Sequence, residues 1–213
     1  MNLRFLLSTL ILASLLLCGC ATEPRTAGTG PESAVMLITP GSTTKWESFG
    51  GLVKFSRDKK PLRVVIELRE DAAPGTVENF KELIRRHYYD GISFHRLFPH
   101  QMVQTGDPKS RHGESDRSGT GGPGYTIPAE IHLKMDAGSV VASRLSDDLN
   151  PTRASNGSQF FICIEPMPQL NGQYTVFGKV TEGLEELDAI SALPVDSNDF
   201  PIDKVVIKSI RIE

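Results

Sequence analysis

Cysteine is scarce, with three in 213 residues. So small a number excludes a disulfide framework, and two of them, Cys18 and Cys20, fall in a leader-like N-terminus. Cys163 is then the lone thiol of the main body, and its apolar surroundings mark it as buried and inert. An excess of one charge is also missing. Lys+Arg total 23 against 26 Asp+Glu, a formal net charge of −3, so no nucleic-acid partner is expected. There is no H-E-x-x-H and no C-x-x-C, which argues against a dedicated metal site, and no G-x-S-x-G nucleophile elbow. Ser158 could serve a hydrolase only through partners distant in sequence. Internal repeats and heptads are absent. The chain is nevertheless 39% hydrophobic, which excludes wholesale disorder. Its 19 Gly and 14 Pro call for many turns.

One long apolar run is present, at residues 5–17, behind the basic Arg4. It falls short of the about 20 residues needed to span a bilayer. A basic start, a short apolar run and then small residues make the plan of a secretory signal. Leu17-Cys18-Gly19-Cys20 resembles a bacterial lipobox, which implies cleavage before Cys20 and a lipid on that residue. A plain cleaved signal with two incidental thiols is the alternative. The expected product is a membrane-anchored, extracytoplasmic lipoprotein of the cell envelope, because several acyl chains anchor stably where one does not. Residues 21–33 are Thr, Gly, Pro, Glu and Ala with little to bury, and read as a tether. Residues 35–38 could form a short strand, but the segment 35–58 as a whole has no clear pattern.

From about residue 61 the pattern is regular. Residues 62–68 read as a strand, and 74–87 as a helix with Pro74 in its first turn and Val77, Phe80, Leu83 and Ile84 on one face. Short apolar runs follow at 92–97, 102–104, 138–143, 159–164 and 174–180. A second helix fits 184–192, and a last strand fits 204–212. Many short strands, Gly/Pro turns and two helices point to a β-sandwich or barrel.

Gly119-Thr120-Gly121-Gly122-Pro123-Gly124 spells G-x-G-x-x-G. A dinucleotide site needs a strand before that motif and a helix after it. Polar Arg117-Ser118 and the later Pro128 favour a surface loop instead. Three other segments carry more information. They are Phe94-His95-Arg96-Leu97-Phe98-Pro99 with Met102-Val103-Gln104-Thr105-Gly106-Asp107, then Asn156-Gly157-Ser158-Gln159-Phe160-Phe161-Ile162, then Leu170-Asn171-Gly172-Gln173-Tyr174-Thr175-Val176-Phe177-Gly178. Singly, each is a strand with a polar end. An isolated Arg is more often a solvated charge, and Phe160 and Phe161 would usually be core.

In this order the segments resemble the cyclophilin family of peptidyl-prolyl cis–trans isomerases. Val77-Glu78-Asn79-Phe80, Tyr89-Asp90-Gly91 and the glycine-rich loop extend the resemblance from about residue 62 to the C-terminus. It implies a closed eight-stranded antiparallel β-barrel capped by two α-helices. The expected layout is a signal at 1–19, a tether and extension at 20–60, and a cyclophilin-like domain at 61–213.

Arg96 matches the family's catalytic arginine. Gln104 matches the glutamine that orients it and contacts substrate backbone. Met102, Phe161 and Leu170 match walls of the proline pocket, His95 and Tyr174 match positions lining the site, and Gly122 matches the groove beside the residue before proline. No cofactor is implied. Proline-containing polypeptides are the implied partners, and a monomer is expected.

Three positions depart from the family pattern. Gln101 stands at a wall position usually held by Phe, which removes apolar contact from the pocket. Gln169 replaces the Trp or His that often precedes the Leu motif, so cyclosporin sensitivity is not expected. The segment Ser143-Arg144-Leu145 and the insertion Leu145–Arg153 also depart from the usual pattern. Gln101 and that insertion motivate a rival expectation, a low-activity module that binds proline-containing segments or a protein partner.

Overall fold

The computed structural model describes residues 30–40, 60–112 and 119–213. The expected signal, Cys20 and most of the expected extension lie outside these residues. Among the described residues no helix is long and apolar enough to cross a membrane.

Eight strands form one sheet. They are β1 (Ser33–Pro40), β2 (Leu62–Leu68), β3 (Arg96–Phe98), β4 (Met102–Thr105), β5 (Ser139–Ala142), β6 (Phe160–Cys163), β7 (Val176–Glu182) and β8 (Val205–Ile212). Their order across the sheet is β3-β4-β6-β5-β7-β2-β1-β8, and every ladder is antiparallel. Helix α1 (Pro74–Arg85) packs against β7 and β8, and α2 (Leu184–Ser191) packs against β3 and β4.

The apolar face expected of α1 is buried, with Val77, Phe80, Leu83 and Ile84 turned inward. The helix stops two residues short of the expected end because His87 adopts a left-handed backbone (φ 55°). There the His87 and Tyr88 amides fold back onto the Ile84 and Leu83 carbonyls (2.9 and 3.0 Å). Phe80 meets Tyr89, Phe160 and Phe177 at ring-centroid distances of 5.3, 5.5 and 5.1 Å. Tilted and edge-on aromatic contacts of this kind tie α1 to the sheet interior.

Two expectations need correction. The sheet is an open, curled half-barrel, not a closed barrel. Its edge strands β3 and β8 share no ladder. The irregular chain before β3 spans the gap instead. The Gly91 and Phe94 amides donate to the Ile207 and Val205 carbonyls (2.8 and 2.9 Å), around a single bridge between Ser93 and Val206. The packed fold also starts well before residue 61. β1 lies between β2 and β8, with Ala34, Met36 and Ile38 buried. Hydrophobic alternation over a few residues was too short a signal for an integral strand, and the polar residues after it obscured the pattern.

Candidate active site

The central strands bury both faces. In β6, Phe160 and Ile162 join the main core, while Phe161 and Cys163 join a second apolar cluster on the outer face. β4 divides in the same way, with Val103 inward and Met102 outward. This follows from the two-residue period of a strand.

Register then assembles the outer face. Arg96 is opposite Gln104, Gln104 is opposite Phe161, and Phe161 is opposite Val141. One step along, Phe98 is opposite Met102 and Met102 is opposite Cys163. Directly opposed residues share a face of the sheet. The cation, the amide and the apolar wall therefore stand in one row across neighbouring strands.

Beside this row lies an open groove of about 1300 Å³, bordered by His95, Arg96, Gln104, the 119–122 loop, residues of the 143–156 segment and residues 197–200. Of the expected site residues, His95, Arg96, Gln104 and Gly122 border the groove. Met102, Phe161, Leu170 and Tyr174 belong to the adjoining apolar cluster, where Phe161 and Tyr174 pack edge to face at 5.7 Å. Gln101 belongs to neither. It is exposed in the β3–β4 turn, where its main chain bonds to Phe98 and Ile164. An aromatic ring reaches the site by another route, since Phe98 packs beside the cluster and opposite Met102.

Arg96 is held from two sides. Its guanidinium carbon lies 4.6 Å from the centroid of the Phe98 ring, and its Nε lies 3.7 Å from the Asp199 carboxylate. Asp199 has a left-handed backbone (φ 62°), and its carbonyl accepts the Leu97 amide (3.0 Å), which fixes this loop beside β3. No side-chain hydrogen bond joins Arg96 to Gln104, although the two face each other across the ladder. Gln104 instead donates to Gln159 Oε1 (3.0 Å), and Gln159 Nε2 donates to the Gly121 carbonyl (2.8 Å). Asn156 Nδ2 donates to the same carbonyl (3.0 Å).

The buried Asp107 completes this frame by accepting the Gly121 and Lys109 amides (2.9 and 2.8 Å). A Cβ on Gly121 would sit 2.1 Å from Asp107 Oδ1, so only glycine fits there. The glycine-rich segment is thus a loop strapped to the strands. No helix follows it as a dinucleotide site would require.

His95 is 3% exposed, and neither ring nitrogen has a hydrogen-bond partner. Burial is the main cause that lowers its pKa to about 4, against which the nearby Asp107 and Gln159 give partial support to the charged form. The ring is therefore neutral near pH 7. Burial pushes the Cys163 thiol up to about 12, which keeps it unreactive. The Ser158 hydroxyl donates to the Gly106 carbonyl (2.8 Å), a structural bond that ties β6 to the end of β4.

Sequence reasoning missed Gln159, Asp107, Phe98 and Asp199. Gln159 and Asp107 stand inside the recognised motifs, and Phe98 is two residues from Arg96 on a strand, so alternation alone puts them on one face. Asp199 gave no local signal, because only the chain's return past β3 brings it near.

The sequence profile described as cyclophilin type peptidyl-prolyl cis-trans isomerase/CLD matches residues 52–212. The chain belongs to this family. Peptidyl-prolyl cis-trans isomerase B of Bacillus subtilis is 46% identical over 126 residues, covering 58% of this chain and 79% of that protein. The peptidyl-prolyl cis-trans isomerase-like 1 protein of Aspergillus fumigatus is 38% identical over 143 residues, covering 67% and 84%. The crystal structure of a Cryptosporidium parvum cyclophilin type peptidyl-prolyl cis-trans isomerase superposes with a TM-score of 0.66 at 28% identity. It covers 85% of this chain and 98% of its own.

Two measurements probe this frame. An NMR titration of the His95 ring is expected to show a midpoint near 4. Because that lies below the ordinary His value, the folded state binds fewer protons, and this contribution to stability is complete above about pH 6.5 and declines as pH falls toward 4. Denaturant midpoints across that window should fall less steeply in His95→Gln. Separately, Gln159→Leu leaves the Gln104 amide without its acceptor, while the Gly121 carbonyl keeps Asn156 as a donor. Isomerase kcat/KM should drop by about tenfold, in line with ~1–3 kcal/mol for an unsatisfied buried group.

Proposed function

We propose that this isomerase works by donating a hydrogen bond from Arg96 to the prolyl nitrogen as the X–Pro amide twists. The uncatalysed barrier of roughly 18–20 kcal/mol arises because rotation breaks amide resonance. As resonance is lost, the nitrogen gains a lone pair that the planar bond lacks. A donor aimed there favours the twisted amide over both planar isomers, so the contact is differential and accelerates the step. A guanidinium suits the task because it is always charged and presents a rigid fork of donors.

The row Arg96–Gln104–Phe161 carries this reading. Phe161 and its neighbours offer an apolar seat for the proline ring, and Gln104 offers an amide to the flanking backbone. Arg96 stands at the edge of that seat. Asp199 and Phe98 limit its motion, which lowers the reorganisation needed during reaction. Phe98 also supplies a ring near Met102, so the amide at position 101 does not leave the site without an aromatic. That weakens the case for a low-activity binding module.

We further propose that the protein acts on exported polypeptides from a lipid anchor at Cys20, with the chain between Cys20 and the fold as the tether; the expected tether of 21–33 is shorter, because Ser33 opens β1 and the Glu32 carbonyl accepts the Leu68 amide. The lipobox-like Leu17-Cys18-Gly19-Cys20 behind a short apolar run supports this reading. A monomer on a tether would let the groove sweep the membrane surface for unfolded clients.

In a proline-peptide isomerisation assay, Arg96→Ala should lose about 10²–10³-fold in kcat/KM, the scale of removing one transition-state donor. Arg96→Lys should not restore the rate. Equal rates in wild type and Arg96→Ala would overturn the mechanism. For the anchor, intact-mass measurement of protein extracted from cell envelopes should show a lipid-modified Cys20 at the N-terminus. Cys20→Ser should leave the membrane fraction, and its retention there would sink the proposal.

A further inference from the structure

Among the described residues, the groove is bordered by the cationic side chains of Arg96, Lys109 and Arg144 and by one carboxylate, that of Asp199. Two of the cations are already engaged. Lys109 Nζ donates to the Thr120 hydroxyl (2.9 Å). The Arg144 side chain is 3% exposed and closed off by Asp147 (2.6 Å), which Arg153 clasps from the other side (2.8 Å). His95 is buried and uncharged near pH 7. Beside the row that carries Arg96, the charges open to a bound chain are therefore Arg96 itself and Asp199, whose side chains are 48% and 40% exposed.

The loop that carries Asp199 holds two carboxylates with different tasks. Asp196 Oδ1 accepts the Asn198 and Phe200 amides (2.8 and 3.1 Å). The Asp196 amide donates to the Phe200 carbonyl (2.8 Å), and the Asp199 amide donates to the Asp196 carbonyl (3.2 Å). A bridge between Val195 and Pro201 closes the base of the loop, and the Phe200 ring lies beside that of His95 at 6.4 Å between centroids. The loop is thus built with the Asp196 side chain and without that of Asp199. Among the described residues, the ion-pair contact of Asp199 is with Arg96 Nε at 3.7 Å, beyond hydrogen-bond reach. The Asp199 oxygens therefore keep lone pairs for an incoming donor.

A fixed carboxylate at the border of a binding groove attracts a cationic side chain and repels an anionic one, so it discriminates in both directions. A chain that presents its prolyl nitrogen to Arg96 passes within one long side chain of Asp199.

We propose that Asp199 is a specificity-determining residue, which pairs with a Lys or Arg of the substrate close to its proline and disfavours Asp or Glu there. The proposal rests on the isomerase reading above and names basic proline-containing segments as the preferred substrate class. The hold of Asp199 on Arg96 acts on every substrate alike, whereas its pull on substrate depends on the charge that the substrate carries. The two effects are therefore separable.

The test uses proline peptides that are identical but for one position near the proline, on either side of it, filled with Lys, Ala or Glu. Dissociation constants by titration calorimetry and kcat/KM by exchange NMR are measured for wild type, Asp199→Asn and Glu165→Gln. Asn tolerates the left-handed backbone at position 199, and Glu165 is an exposed carboxylate that does not border the groove. Wild type should rank Lys over Ala over Glu on one side of the proline, with Lys ahead of Glu by about fivefold at low salt. High salt should shrink that ratio. Asp199→Asn should bring it to one or below, because Arg96 then stands unpaired, and Glu165→Gln should keep it. A role confined to holding Arg96 would lower all three peptides alike in Asp199→Asn and leave the ratio unchanged, which overturns the proposal. Absence of a Lys preference in wild type overturns it too. Charge-selective binding without isomerisation would sink the isomerase reading and leave the charge preference standing. Isomerisation without charge selectivity would do the reverse.

Discussion

The central strands β4, β6, β5 and β7 bury apolar residues on both sides, and the site depends on that constraint. Val103, Ile162, Val140 and Phe177 fill the main core, while Met102, Phe161, Val141 and Val176 line the outer cluster. A slip of one residue in any ladder would exchange the two sets. The core would then receive the outer residues, and the groove would receive the core. Packing against α1 and α2 fixes the inner set, so the outer row of Arg96, Gln104 and Phe161 is fixed as well.

Polar contacts refine what the strands place. Asp107 holds the glycine-rich loop from below, and Asn156 and Gln159 hold its Gly121 carbonyl from the side. Through Gln159 the loop is linked to Gln104, so the floor of the groove and its polar wall form one network. Arg96 stays partly solvated between a carboxylate and an aromatic face. Its ion pair is a surface one, worth little as stability. On the mechanism proposed above its value would be in direction, because a donor held in place needs little reorganisation.

The segment 170–174 serves both parts of the groove. Leu170 and Tyr174 pack against the outer apolar cluster, while the carbonyls of Gly172 and Gln173 anchor Arg153 and Arg144. One strut therefore links the outer apolar cluster to the insertion.

Sequence alone determined the family, the two helices, most strands and the candidate site residues, because strand and helix periods are local and the motifs lie within them. Arg96, Gln104 and Phe161 were legible for that reason. Tertiary structure decided the rest. β1 is integral because β2 and β8 flank it, although its own pattern is short. The sheet stays open because the irregular residues 91–94, and not β3, meet the edge of β8. Gln101 faces solvent at a turn while Phe98 faces the site, a difference set by the strand's pleat and its neighbours. Asp199 and the clasp around Asp147 depend on contacts between segments far apart in the chain, and no local pattern encodes such distances.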